Sequence, residues 1–464
     1  MNRAALDHAL HFTRSWLGFR YREEDITGYT VAVAHRGEIV LSEAYGYADL
    51  AQRTELATSH IFRIASHSKT FTATAVMQLQ EKGILRIDDH VVDYLPWLHA
   101  HTDPRWRKVT IRQLLSHGAG VIRDGKDADY WQLEGPFPDE GELKAAVLDA
   151  ALVLDPNSKL KYSNFGYSLL GMLVGTVSGQ SYHDYVLEHI VGALDLPKTG
   201  PEYNPAIQSE LAVGYSRRGA DKRRIPIADV DTGAMAAATG FYATAEDLCV
   251  YFSAHMVGSK LLLSDESKKE MQRVQYHAHT PSRPDEEDYG LGLQLSTFDD
   301  RHTFGHGGGF PGYITASMVD PKDELVVVVL TNCDGPASDI TRGIFSIIAY
   351  YQTNTPTTQP ERDLDYLEGR YMNLWDVSDI VVTGTKVVAT QPSSWRPLAH
   401  PEVLTYVDTD TFRTSDTDSY ASEGELVRFH IVEGQVDTVT YTGSTMWPED
   451  AWVDKQSNRT VVGR

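Results

Sequence analysis

Ile61-Phe62-Arg63-Ile64-Ala65-Ser66-His67-Ser68-Lys69 carries a mostly apolar run straight into a hydroxyl and an amine three residues apart. Phe71, Ala75, Val76 and Leu79 follow at helical spacing, and Gly83 supplies a stop. The spacing therefore predicts a helix that begins near Ser66. Positions i and i+3 share one helical face, so Lys69 lies beside Ser66. Serine is a weak nucleophile at neutral pH and needs such a neighbour to take its proton. A helix start adds free backbone N–H groups and partial positive charge, which suit a developing oxyanion.

Ser-x-x-Lys alone says little. At about 6% each for Ser and Lys, a chain of this length holds one or two by accident. Ser158/Lys161 is a second one, but it follows Pro156-Asn157 and precedes no amphipathic helix. Tyr162-Ser163-Asn164 offers a tyrosine that could shuttle a proton from Ser66 to a leaving group, and an amide that could hold a substrate. Tyr371-Met372-Asn373 repeats that pattern without context. Gly305-His306-Gly307-Gly308-Gly309-Phe310 is a glycine-rich segment whose backbone can come very close to a ligand. The N–H of Gly309, next to Gly308, could join that of Ser66 as an oxyanion donor, with His306 as the polar group facing the substrate. His35-Arg36-Gly37 is another His-x-Gly, placed in a hairpin turn.

Outward from these motifs, β-rich runs flank Arg36-Gly37, and Tyr313–Val319 and Glu324–Thr331 flank Asp320-Pro321-Lys322-Asp323. Between them, 84–290 is mostly helical in pattern. Glu142–Val153 and Tyr182–Leu194 have helical periodicity, Thr244–Asp247 reads as a capping box, and a helix is expected from about Ser338 to Tyr351. The economical fold is α+β: an antiparallel sheet built from both ends of this region, flanked by helices, with an inserted helical subdomain and a cleft where sheet meets helices. Residues 353–363, with two prolines and four threonines, read as a linker. Short strand runs at 379–383, 386–390, 426–432 and 436–441 then predict a small antiparallel β-barrel. The expected division is a hydrolase domain at 1–352, the linker at 353–363 and an all-β domain at 364–464.

A formal net charge of −22 argues against nucleic acid and anionic membranes as partners. No stretch approaches the roughly 18 apolar residues of a membrane span. The first residues lack the apolar core of a secretory signal, so a cytoplasmic location is the default. Two cysteines, Cys249 and Cys333, make no framework and read as buried thiols. No cofactor or metal is called for. A small-molecule or short-peptide substrate is expected, and homo-oligomerisation is left open.

Ser66-x-x-Lys69, Tyr162-x-Asn164 and His306-x-Gly308, in this order, resemble the serine β-lactamase and penicillin-binding-protein superfamily. Within it they are most similar to the class C β-lactamase, D-aminopeptidase and esterase branch of CubicO type. The flanks Val109–His117, Tyr162–Tyr167, Tyr289-Gly-Leu-Gly and Gly305–Tyr313 share the likeness, which covers roughly 10–352. The resemblance implies a β-lactamase-like fold in which Ser66 is acylated and Lys69 and Tyr162 transfer protons. It implies that Asn164, His306 and the backbone of Gly308 and Gly309 bind substrate. Whether Lys69 or Tyr162 is the base stays open. Histidine replaces the lysine of the usual Lys-Thr-Gly motif and is mostly neutral at pH 7. That turns the expectation from β-lactams and D-Ala carboxypeptidase substrates towards esters, amides or D-peptides. The final 100 residues resemble the lipocalin-like modules of some such peptidases.

Three rivals are weaker. An α/β-hydrolase needs a Gly-x-Ser-x-Gly elbow, which the sequence lacks. A metal site at His99-Ala-His101-Thr-Asp103 or His277-Ala-His279 loses to exposed loop histidines. A non-catalytic binding protein of the same fold fits poorly with Ser66, Lys69 and Tyr162 all present.

Overall fold

The computed structural model describes residues 2–278, 287–356, 362–415 and 422–457. The chain divides into two units, 26–341 and 1–25 with 342–464.

In the first unit, Val-rich Leu325–Thr331 is buried throughout and pairs with the equally buried Gly28–His35. A continuous apolar run suits a strand covered on both faces. These are β11 and β1 of a nine-stranded antiparallel sheet. The others are β2 (Glu38–Asp49), β3 (Thr54–Glu55), β6 (Tyr276–Ala278), β7 (Glu287–Tyr289), β8 (Gln294–Phe298), β9 (Arg301–Phe310) and β10 (Tyr313–Asp320). The order is β3-β2-β1-β11-β10-β9-β8-β7-β6, so the sheet joins segments from before and after the helical region. A two-stranded piece pairs β4 (Phe62–Arg63) with β5 (Tyr242–Ala243). The β1–β2 turn has Arg36 and Gly37 at φ +55° and +79°, the doubly left-handed pair that a tight hairpin demands. Asp320 Oδ1 accepts from the Lys322 N–H at 2.9 Å and fixes the β10–β11 turn.

The inserted helices include α1 (Ser68–Glu81), α2 (Asn164–Ser178), α3 (Ala236–Thr239) and α4 (Ala245–Ser253). α1 is buried continuously from Ser68 to Leu79, the mark of a helix enclosed on every side. α4 packs against β1 and β11, and Thr244 Oγ1 caps it from the Asp247 N–H at 3.1 Å. The helix expected at 142–153 occupies Glu140–Asp149. The one expected at 182–194 stays α-helical only over Tyr182–Val186, then widens over Leu187–Val191 and tightens over Gly192–Leu194. The Gly192 N–H reaches back five residues to the Leu187 carbonyl, the bond of the widened turn.

In the second unit, Trp16 of the helix Arg3–Glu23 donates to the Pro392 carbonyl at 3.1 Å, and Arg20 lies over the Trp395 ring at 3.6 Å. Eight strands follow: β12 (Gly369–Met372), β13 (Val377–Thr383), β14 (Lys386–Thr390), β15 (Glu402–Asp408), β16 (Thr411–Ser415), β17 (Leu426–Val432), β18 (Gln435–Tyr441) and β19 (Ser444–Pro448). They form a closed barrel in consecutive order, sealed by β12 against β19. Tyr371, Ile380, Val387, Leu404, Phe412 and Phe429 belong to its buried core. Eight strands enclose an interior that side chains can fill or that can hold one small ligand. Part of the expected linker, 357–361, lies outside the described residues. Among the described residues, no helix is long and apolar enough to cross a membrane.

Candidate active site

β4 delivers the chain to Ala65, which turns with a φ of +49°, a left-handed conformation that a Cβ disfavours. Ser66 sits in the resulting single turn, Ala65–His67, immediately before α1. Within 61–70 every residue is buried except Ser66, which keeps partial access to solvent. Lys69, in the first turn of α1, donates from Nζ to Ser66 Oγ at 3.1 Å and to the Ala238 carbonyl at 2.7 Å. Burial pushes the Lys69 amine well below the ordinary lysine range; Asp124 opposes this and Arg123 adds to it.

Tyr162 stands just before α2, with its ring 4.8 Å from Lys69 Nζ. Its phenol is held above the ordinary tyrosine value by burial, while a hydrogen bond with Ser66 pulls the other way. Asn164 opens α2 and is buried. Its Nδ2 donates to Asp124 Oδ1 at 2.6 Å, and its Oδ1 has no partner among the described residues. Asn157 adopts φ +64°, so an asparagine does hold the left-handed turn before Tyr162.

β9 brings His306 and the glycines. Gly308 passes so close to the Ser66 turn that a Cβ would collide with the Ile64 carbonyl oxygen and the Thr315 hydroxyl. Only glycine lets the strand lie there. Gly309 is exposed, and Gly307 N–H donates to Gln294 Oε1 at 2.8 Å. His306 is buried with both ring nitrogens engaged. Nδ1 faces the Gly307 carbonyl at 2.6 Å and must carry the proton, so Nε2 accepts from Tyr289 Oη at 3.1 Å. Burial pushes this imidazole well below the usual range, and the nearby His67 and Lys69 add to the effect. His306 is therefore neutral.

The structure thus brings Ser66, Lys69, Tyr162, Asn164, His306, Gly308 and Gly309 into one neighbourhood. The second Ser-x-x-Lys forms no such pair: the Ser158 hydroxyl donates to the Asp155 carbonyl. The metal alternative fares differently from its expectation. His101 is buried rather than exposed, its Nε2 lying 3.1 Å from the Val147 and Ala150 carbonyls. His277 is on β6 and pairs with Asp288 at 2.7 Å, while His279 lies outside the described residues.

Residues 10–350 match the family model described as Beta-lactamase. The chain belongs to the β-lactamase family. Among curated relatives, Protein flp of Staphylococcus aureus (strain MW2) is 25% identical over 312 residues, 66% of this chain and 60% of that protein. The chain thus spans about 60% of the length of the first curated relatives it matches. The octameric penicillin-binding protein homologue from Pyrococcus abyssi superposes with a TM-score of 0.66 at 23% identity, covering 94% of this chain and 99% of that one. A D-stereospecific amidohydrolase from Streptomyces sp. gives 0.61 at 23% identity, covering 74% and 99%. At such identities the likeness establishes the fold.

Three residues near this family site escaped the motif reading. Asp124 is nearly buried, accepts from Asn164, and pairs with Arg123 at 3.0 Å. Tyr289, noticed like His117 only within a flank, holds His306. His117, at φ +58°, lies 4.2 Å from the Tyr162 ring and accepts at Nδ1 from the Ser163 N–H at 3.1 Å. Their signal is spatial, since each reaches the site from a different segment.

Proposed function

We propose that this chain hydrolyses esters, or amides and peptides bearing a D-residue, through an acyl-enzyme on Ser66. The observation that carries the reading is the buried Lys69 amine, 3.1 Å from Ser66 Oγ and depressed towards its neutral form. A neutral amine is a base. Lys69 takes the Ser66 proton as Oγ attacks the carbonyl carbon, and the Ser66 and Gly309 N–H groups receive the oxyanion. Tyr162, kept protonated by burial, donates to the leaving group and is recharged from Lys69. Water then releases the acyl group from Ser66. Asn164 Oδ1, lacking a partner among the described residues, accepts from a substrate N–H.

One feature favours these substrates over β-lactams: His306 is neutral and has no free ring nitrogen, so it supplies no fixed cation for a carboxylate. The hydrolase function is assigned to 1–352 and the barrel at 364–464 to a separate module. Assembly into a homo-oligomer belongs to this reading, supported by the fold neighbour described as octameric.

A fluorophosphonate should label Ser66 in the wild type and leave Ser66→Ala unlabelled; an unlabelled wild type overturns the catalytic reading. A panel of p-nitrophenyl esters, D-amino-acid amides and nitrocefin should show turnover of the first two classes. Rapid nitrocefin turnover would overturn the substrate preference.

A further inference from the structure

A cavity of about 680 Å³ lies among α2, α3 and the helix Tyr182–Val186, and its lining includes none of Ser66, Lys69, Tyr162, Asn164 or His306. Its volume falls within the ~300–1,000 Å³ of small-molecule pockets. Tyr94, Trp97, Tyr182 and His183 supply its rings. Both tyrosine hydroxyls are already committed: Tyr94 donates to Asp89 Oδ2 at 2.7 Å, and Tyr182 bonds Thr72 Oγ1 at 2.7 Å. What they offer a ligand is therefore ring surface. Asp139, Glu140 and Lys144 also line the cavity, a surplus of one negative charge. Lys144 Nζ, held by Glu140 at 2.5 Å, stands 5.9 Å from the Trp97 ring, so a cation already occupies the field of that indole. Aromatic walls with excess negative charge suit an organic cation.

The same wall leads to Ser66. Thr72 Oγ1 accepts from Tyr182 and donates to the Ala237 carbonyl at 2.6 Å. The Ala236 and Ala237 positions of α3 line the cavity, and the carbonyl of the next residue, Ala238, holds Lys69 Nζ. We propose that this cavity binds an aromatic organic cation and that its occupancy tunes turnover through α3 and the Ala238–Lys69 bond. The tuning rests on the reading of Ser66 and Lys69 as the reacting pair; the binding does not.

Benzyltrimethylammonium is the probe: a fixed cation with one ring and no nucleophilic atom. Calorimetry should detect its binding to the full chain and detect none for benzenesulfonate. It should shift kcat for p-nitrophenyl acetate by about fivefold with KM little changed. Thr176→Trp, at an exposed position on the cavity wall, should abolish the binding, with its fold checked by the unfolding temperature. Trp97→Ala, which keeps the cavity open, should weaken it. Absence of binding, or binding that survives both substitutions, overturns the site. An effect on KM alone overturns it too, because the probe then sits with the substrate. Binding lost in Thr176→Trp without any kcat shift in the wild type overturns the coupling. Fluorophosphonate labelling without the probe reports separately on Ser66.

Discussion

Lys69 is the residue on which most of the chemistry turns, and its burial has a thermodynamic side. The unfolded chain holds this proton up to about pH 10.5, whereas the folded amine gives it up far lower. Between the folded and unfolded values folding must therefore release a proton, a cost that fades as pH rises towards the unfolded value. Lys69→Met should abolish turnover yet raise the unfolding temperature at pH 7 by a few degrees, roughly, the gain shrinking towards pH 10. The lost bond to Ala238, worth about 1 kcal/mol, is the smaller term. A lower unfolding temperature at pH 7, by calorimetry, would contradict this. Tyr162→Phe should cut turnover about 10²-fold while leaving the substrate panel's ranking intact; near-normal turnover removes the phenol from the relay. Ser66, Lys69 and Tyr162 were legible because each lies in a short motif with fixed spacing. Asp124 was not, and His117 showed only as the end of a flank, because nothing local marks a residue that acts by where the chain folds it.

β9 is the element that most constrains the site. A methyl group at Gly308 meets backbone on the Ser66 turn, with His67 Nδ1 also within 3.2 Å, so the strand or the turn must shift. Gly308→Ala should lower stability by about 1–3 kcal/mol in denaturant melts and lower turnover at least about tenfold. Gly309→Ala meets only an Ile314 methyl at 3.6 Å and should keep near-native stability. If the two variants melt alike, close approach is not what the glycine at 308 serves. At this scale the hairpins at Arg36-Gly37 and Asp320–Asp323 could be read directly, because turn residues punctuate apolar runs. β6, β7 and β8 could not: they are three to five residues long, and Glu287, Asp288 and Gln294 interrupt any alternation. β12, only four residues long, was missed for the same reason.

Across the whole molecule, the fold class followed from where strand patterns reappear along the chain. The sheet order needed coordinates, because pairing of β1 with β11 leaves no mark on either sequence. Whole-molecule stability should respond to acid in a defined window. His67 and His255 are buried neutral, each pushed down to about 4 by burial, against about 6.5 when unfolded. The unfolded chain takes up those protons first, so stability is full above about 6.5 and falls as pH drops towards 4. His255→Gln should flatten that slope in unfolding temperature against pH; an unchanged slope assigns it to other groups. The lone accessible position in 61–70 has a practical consequence of a different kind. An electrophile arriving from solvent meets one hydroxyl in that stretch, so a tight-binding phosphonate should consume one equivalent per competent chain. The burst of released leaving group then counts working molecules in any preparation, independently of total protein.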